Sequence, residues 1–358
     1  MKKNRSTAKL RIGLIGCGHI AQIVHLNILS HLPGAELVAL ADTDPGRRIE
    51  AGRRVPQAMV VADYHELLAM PHVEAVVICL PSGNHAEAAT AAFTANKHVY
   101  LEKPLATNLE DGRKVLEAWK RARHVGMIGF NYRFNALYGA MKEHIRKETI
   151  APLVSAQSVF SSVVHPLPSW KQMRLTGGGV LLDLASHHID LVRFLFEQDI
   201  SDVFASHRSQ RGEGDSATLQ LRLTDGLLVQ SFFSSGAVEE DTFTIYGQAG
   251  KLTVDRYRSF MVDVSEPRRS RFGWRQRLRK LWAVRRSPYL LSKMLASSKE
   301  PSYCAALAHF VTAVRTHQPV RPDFWDGYCS LAVVAAAEES ARTGRMIPVA
   351  DVEKGGSK

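Results

Sequence analysis

The residues Leu10-Arg11-Ile12-Gly13-Leu14-Ile15 form a short apolar run that breaks at once into Gly16-Cys17-Gly18-His19-Ile20-Ala21. An apolar strand entering a glycine-rich turn and then a helical pattern is the start of a βα unit. The same rhythm continues: residues 36–41, 73–80, 97–101 and 125–129 read as strands, with helical stretches such as 84–95 and 109–122 between them. Strands that alternate with helices pair in parallel through right-handed crossovers, which predicts an α/β, doubly wound sheet with helices on its faces.

After about residue 150 the rhythm changes. Segments 154–164, 201–209, 217–223, 227–233, 242–246 and 251–254 read as strands, several joined by turns such as Thr224-Asp225-Gly226 and Gly247-Gln248-Ala249-Gly250. Such close spacing predicts hairpins and an antiparallel sheet. One helix, 180–196, interrupts them, and helices at 303–316 and 323–342 close the chain.

Charge is unevenly placed. The net charge is +11, and residues 267–299 carry eleven basic side chains and no acid, so the remaining 35 basic residues are balanced by 35 acids. A nucleic-acid partner, which wants a basic face built into the fold, is not expected. Trp274, Leu278, Leu281 and Trp282 fall on one helical face within this segment. The segment is compatible with packing on its own sheet or a partner copy, with an anionic membrane surface, and with a clamp over an anionic ligand. Four cysteines without paired spacing, no apolar signal core and no span of about 20 apolar residues fit a cytoplasmic protein, peripheral at the inner membrane surface if the basic segment binds lipid.

Gly16, Gly18 and Ala21 form a GxGxxA element. Gly16 permits the tight turn, Gly18 lets the backbone approach a pyrophosphate, and Ala21 allows close helix packing, with His19 and Ile20 at the helix start where the phosphate sits. Asp42, at the end of the second strand, supplies an acid for the ribose hydroxyls and repels a 2′-phosphate, so NAD is favoured over NADP; Arg47 and Arg48 nearby would serve NADP.

Leu101-Glu102-Lys103-Pro104-Leu105 resembles the EKP signature of the glucose-fructose oxidoreductase / inositol dehydrogenase / rhizopine-catabolism (Gfo/Idh/MocA) family. Pro81-Ser82-Gly83-Asn84-His85 resembles that family's loop after its fourth strand, and the run from Gly177 to Asp190 resembles its GGGxLxDxGxHxxD helix, with Ala185 where glycine is frequent. The basic segment is the larger departure. The resemblance covers nearly the whole chain. It implies a Rossmann NAD(P)-binding domain at 8–131 and an α/β substrate and oligomerisation domain at 132–350, with a large, mostly antiparallel sheet and a basic insertion at about 265–300.

The activity it implies is hydride transfer between nicotinamide and a secondary alcohol of a sugar, cyclitol or nucleotide sugar held between the domains. Lys103, at the carboxyl end of a parallel strand, would stabilise the developing alkoxide. His187 is assigned as general acid/base and Asp183, four residues earlier on the helix, as its orienter and a substrate ligand; His188 is read as packing. Pro81, Asn84, His85, Glu102 and Lys103 join the cofactor set, Glu102 being a surface or backbone-anchoring acid. Tyr132 and Arg133, and Trp170 and Lys171, are weaker substrate candidates. No metal is expected, because adjacent histidines on a helix point apart. A homodimer or homotetramer through the second sheet is expected. Two other functions share this fold: a non-catalytic NAD(P)/sugar sensor, and a redox-neutral NAD-dependent glycosidase.

Overall fold

The structure is a computed structural model that describes residues 8–267, 289, 293–294 and 300–349. The Trp/Leu pattern at residues 274–282 and most of the basic segment lie outside these. The chain divides into two compact units, Met1–Asn131 with Ala296–Tyr328, and Tyr132–Leu295 with Cys329–Lys358.

In the first unit, β1 (Leu10–Ile15) is buried at every position except Arg11, as a central strand covered on both faces must be. It pairs in parallel with β2 (Ala35–Ala41) and with β4 (Ala75–Ile78). With β3 (Met59–Val61), β5 (His98–Leu101) and β6 (Gly126–Ile128) the order is β3-β2-β1-β4-β5-β6, all parallel. The strand order reverses between β1 and β4, the switch point where a doubly wound sheet opens a ligand crevice at its carboxyl ends. The short edge strand β3 was not apparent in the sequence; three half-exposed residues carry no periodicity. The helix Leu109–Ala122 is capped by Asn108, whose side chain accepts the Asp111 N–H, and acids lie in its first turn and bases in its last.

The second unit is built on β7 (Leu153–Ser161), β8 (Ile200–Arg208), β9 (Ser216–Leu223), β10 (Leu228–Ser234), β11 (Glu240–Gly247), β12 (Gly250–Asp255), β13 (Asp263–Ser265) and β14 (Ile347–Pro348), in the order β13-β12-β11-β7-β10-β9-β8-β14. The expected hairpins are present as β8–β9, β9–β10 and β11–β12. The sheet is mostly antiparallel, but β7 lies parallel to β10, wedged between it and β11. One face is buried; the other exposes Phe204, Phe232 and Tyr246 in part. The long helix read at 180–196 begins instead with a wide turn, Leu181–Ala185, that passes into the α-helix Ser186–Phe196. Wide turns of this kind recur at functional sites.

His98, at the start of the strand that leads to Lys103, accepts the Val125 N–H on Nδ1 at 2.9 Å and lies 4.8 Å from the His124 ring. Burial, and then the neighbouring histidines 124 and 317, hold its pKa down at about 4. An unfolded histidine titrates near 6.5, so between these values the unfolded chain binds the extra proton and stability rises with pH. Melting temperature is therefore expected to fall as pH is lowered from about 6.5 to 4. His98→Gln should flatten that slope; an unchanged slope would assign it to other groups.

Candidate active site

The glycine loop begins where β1 ends. Gly16 has φ +89°, and a Cβ there would stand 2.7 Å from the Cys79 carbonyl oxygen just past β4. Glycine alone satisfies both demands. At Gly18 a Cβ would meet only the Arg47 guanidinium, at 3.9 Å, so the backbone is open to a phosphate. Ala21 is fully buried, Ile20 half-buried and His19 exposed.

Asp42 is 8% exposed and bolted to this loop. Its Oδ2 accepts the Cys17 N–H at 2.7 Å and its Oδ1 the Asp44 N–H at 2.8 Å. Each carboxylate oxygen keeps a lone pair for a further donor, as a ribose hydroxyl would supply. Arg48 is committed to the backbone, donating to the carbonyls of Asp42 and Thr43 at 2.7 and 2.9 Å. Burial, and then the Asp42 carboxylate, push the Cys17 thiol up to about 12, so the loop's cysteine stays neutral. An open glycine backbone at a helix start and an anchored acid beside it fit a dinucleotide.

Beyond β4, Pro81 is half-buried and Asn84 exposed. His85 is buried, its Nδ1 2.6 Å from the Pro104 carbonyl and its Nε2 2.9 Å from that of Leu80. It thus ties the loop after β4 to the loop after β5, and burial holds its pKa below the usual histidine range. Glu102 is not at the surface. Its N–H still pairs with the Ile78 carbonyl at 3.0 Å, which carries the side chain inward, where Oε1 lies 2.7 Å from Nε2 of the buried His25. Gly129 leaves the room: a Cβ there would be 2.9 Å from Oε2. Lys103 follows, half-buried, joined to Pro104 by a cis peptide.

The second unit carries the remaining candidates. Asp183 lies in the wide turn, and its Oδ2 receives the Lys171 ammonium at 2.7 Å. Lys171 stands on the short helix Ser169–Gln172, its ammonium 5.4 Å from the Trp170 ring. Asp183 and Lys171 line a cavity of about 260 Å³ together with Gly179, Arg211 and Asp215. His187, 8% exposed, stacks on the Tyr132 ring with centroids 4.6 Å apart and planes 18° from parallel. His188 is turned into the interior, its Nε2 3.2 Å from Asp241 Oδ1. Arg133 grips Asp190 with two hydrogen bonds, at 2.8 and 2.6 Å. Tyr132, 4% exposed, donates its hydroxyl to Asp241 at 2.7 Å. Both weaker candidates from that segment therefore point into the second unit's own structure.

Asp241 escaped the sequence reading. It is fully buried, and besides Tyr132 and His188 it receives Arg256 Nε at 2.6 Å and the Tyr138 hydroxyl at 3.3 Å. Burial alone would raise its pKa, but the Arg256 guanidinium and the bonds from His188 and Tyr132 hold it well below the usual carboxylate range. The available signal was the alternation Asp241, Phe243, Ile245, which puts an acid on the apolar face of its strand.

Residues 10–130 match an oxidoreductase family with an NAD-binding Rossmann fold, and residues 142–350 match that family's C-terminal α/β domain. The chain belongs to the Gfo/Idh/MocA oxidoreductase family. It is 27% identical to the myo-inositol 2-dehydrogenase of Thermotoga maritima, over 96% of this chain and 99% of that one. It is 29% identical to the 1,5-anhydro-D-fructose reductase of Ensifer adhaerens, again over 96% and 99%. Levoglucosan dehydrogenase, in complex with NADH and levoglucosan, shares the fold with a TM-score of 0.83 at 24% identity, over 96% and 100% of the two chains. As a Gfo/Idh/MocA protein the chain is an oxidoreductase whose first unit carries the family's NAD-binding Rossmann fold.

The close approach at Gly16 generates a test. Gly16→Ala places a Cβ in a left-handed conformation and 2.7 Å from a backbone oxygen, a cost of about 1–3 kcal/mol. The variant is expected to melt lower and to bind NADH at least tenfold more weakly in a fluorescence titration. Wild-type affinity would show that the turn tolerates displacement.

Proposed function

We propose that this chain is an NAD-dependent dehydrogenase that moves a hydride between the nicotinamide and a secondary alcohol of a sugar, cyclitol or nucleotide sugar. The observation that carries the reading is the division of equipment: Asp42 anchored to the glycine loop in one unit, and in the other an Asp183–Lys171 pair lining a cavity and a His187 stacked on Tyr132. The relatives support the substrate class, since inositol and anhydrofructose are cyclic polyhydroxy compounds.

When bound, the nicotinamide supplies the hydride acceptor. The chain's own residues handle the proton and the developing charge. The Lys103 ammonium stabilises the oxygen as it gains alkoxide character, and the His187 imidazole takes or returns the hydroxyl proton. Asp183, with Lys171 bound to it, offers an acceptor and a donor side by side for a substrate hydroxyl. Lys103→Met and His187→Ala are expected to keep NADH binding and lose turnover by roughly 10²–10⁴-fold. The assay is a panel of free sugars, inositols, uronic acids and nucleotide sugars; activity within threefold of wild type in both variants would overturn the assignment.

Asp42 sets the cofactor choice. Its carboxylate, held on two backbone N–H groups, would stand against the charge of a 2′-phosphate. NAD(H) should bind more tightly than NADP(H), and Asp42→Asn should narrow the difference. NADP(H) binding tenfold tighter to the wild type would show that Arg47 dominates. Self-association is part of the reading: the outer face of the second sheet, with Phe204, Phe232 and Tyr246, would seat a second copy.

A further inference from the structure

A carboxylate on the apolar face of a central strand is a costly way to fill space. An apolar residue at position 241 would pack there with no charge to desolvate. Asp241 is nonetheless fully buried and receives donors from three other parts of the chain: Tyr132 and Tyr138, His188 on its helix, and Arg256 after β12. A backbone bond from Arg256 N–H to the Asp241 carbonyl, at 2.8 Å, fixes the guanidinium's chain to the same strand. What this cluster holds is a ring. The Tyr132 hydroxyl is bound at 2.7 Å, and the Arg256 guanidinium lies 4.8 Å from the ring's centroid. The His187 imidazole stacks on that ring nearly parallel. Phe160 approaches both rings, at 6.2 Å from Tyr132 and 6.1 Å from His187.

We infer that Tyr132 is a positioning residue for His187, and that the Asp241–Arg256 pair is the anchor that fixes the tyrosine ring. His188, one residue on, is the partner of Asp241 and serves the anchor; His187 is left on the platform. The tyrosine does not touch the reacting atoms. It sets the plane and height of the imidazole, and a misplacement of about 1 Å at such a group costs on the order of 10²-fold in rate. The inference rests on the assignment of His187 as the proton-transfer group, and the test separates the two.

The full chain, labelled at histidine, would be read by nuclear magnetic resonance, with His187 identified from His187→Asn. Its ring protons are expected upfield, under the tyrosine ring current, in the wild type. Tyr132→Phe keeps the ring but loses its bond to Asp241, and should hold part of that shift, with a smaller loss of kcat than Tyr132→Leu. Tyr132→Leu removes the ring and should move the His187 signals to unstacked positions and lower kcat by about 10²-fold, with NADH affinity unchanged. Asp241→Asn should displace the same signals while Tyr132 is still present, and it carries the test if Tyr132→Leu fails to fold. His187 signals unmoved in the folded variants would overturn the inference, as would equal loss of kcat in the Phe and Leu variants. Full turnover in His187→Ala, with the stacking signature present in the wild type, would sink the assignment of His187 instead.

Discussion

The approach of Gly16 to the backbone at Cys79 is the constraint on which the first unit depends. A Cβ would stand 2.7 Å from a carbonyl oxygen, so β1 can turn toward the next helix beside β4 only at a residue without one. That turn places the Cys17 N–H where the Asp42 carboxylate receives it at 2.7 Å. The acid at the end of β2 and the glycine loop at the end of β1 are thereby one rigid piece. Parallel pairing then sets the ends of β4 and β5 next in line, and with them His85, Glu102 and Lys103. Each follows a strand's carboxyl end because strands in a parallel sheet all point the same way.

Two buried ionisable clusters hold the candidate residues from behind. In the first unit His25, on the helix after the glycine loop, meets Glu102 at 2.7 Å, directly before Lys103 in the chain. In the second, Asp241 gathers Tyr132, Tyr138, His188 and Arg256. A buried charge without partners is costly, so each cluster stands or falls as a whole. Loss of one partner leaves the others desolvated and unpaired, which makes such clusters stiff supports for a reacting group. The Asp183–Lys171 pair differs: both side chains are about a quarter exposed, 26% and 28%, and border a cavity.

Much of this was legible from local pattern. The strand–helix alternation, the capped helix Leu109–Ala122, the glycine loop and its acid all follow from neighbours in sequence. Less legible was the helix carrying Asp183 and His187. Four-residue spacing put both on one face; the wide turn Leu181–Ala185 and the Lys171 bond to Asp183 were not apparent from it. Glu102, read as a surface or backbone-anchoring acid, is buried; a strand end looks solvent-facing until the neighbouring strand's pairing is known. The parallel pairing of β7 with β10 was hidden too, since hairpin turns report only adjacent strands.

By itself the sequence determined five of the six strands of the first unit's sheet, the position of the dinucleotide loop and the polarity of its acid, because periodicity and glycine chemistry act over a few residues. Tertiary structure alone decided which side chains stand behind the candidate residues. Tyr132 and Asp241 are 109 residues apart, and His25 and Glu102 are 77 apart. Alternation along a strand says that Asp241 points inward. It cannot say which donors from other elements arrive there, because that is fixed by how the helices seat on the sheet.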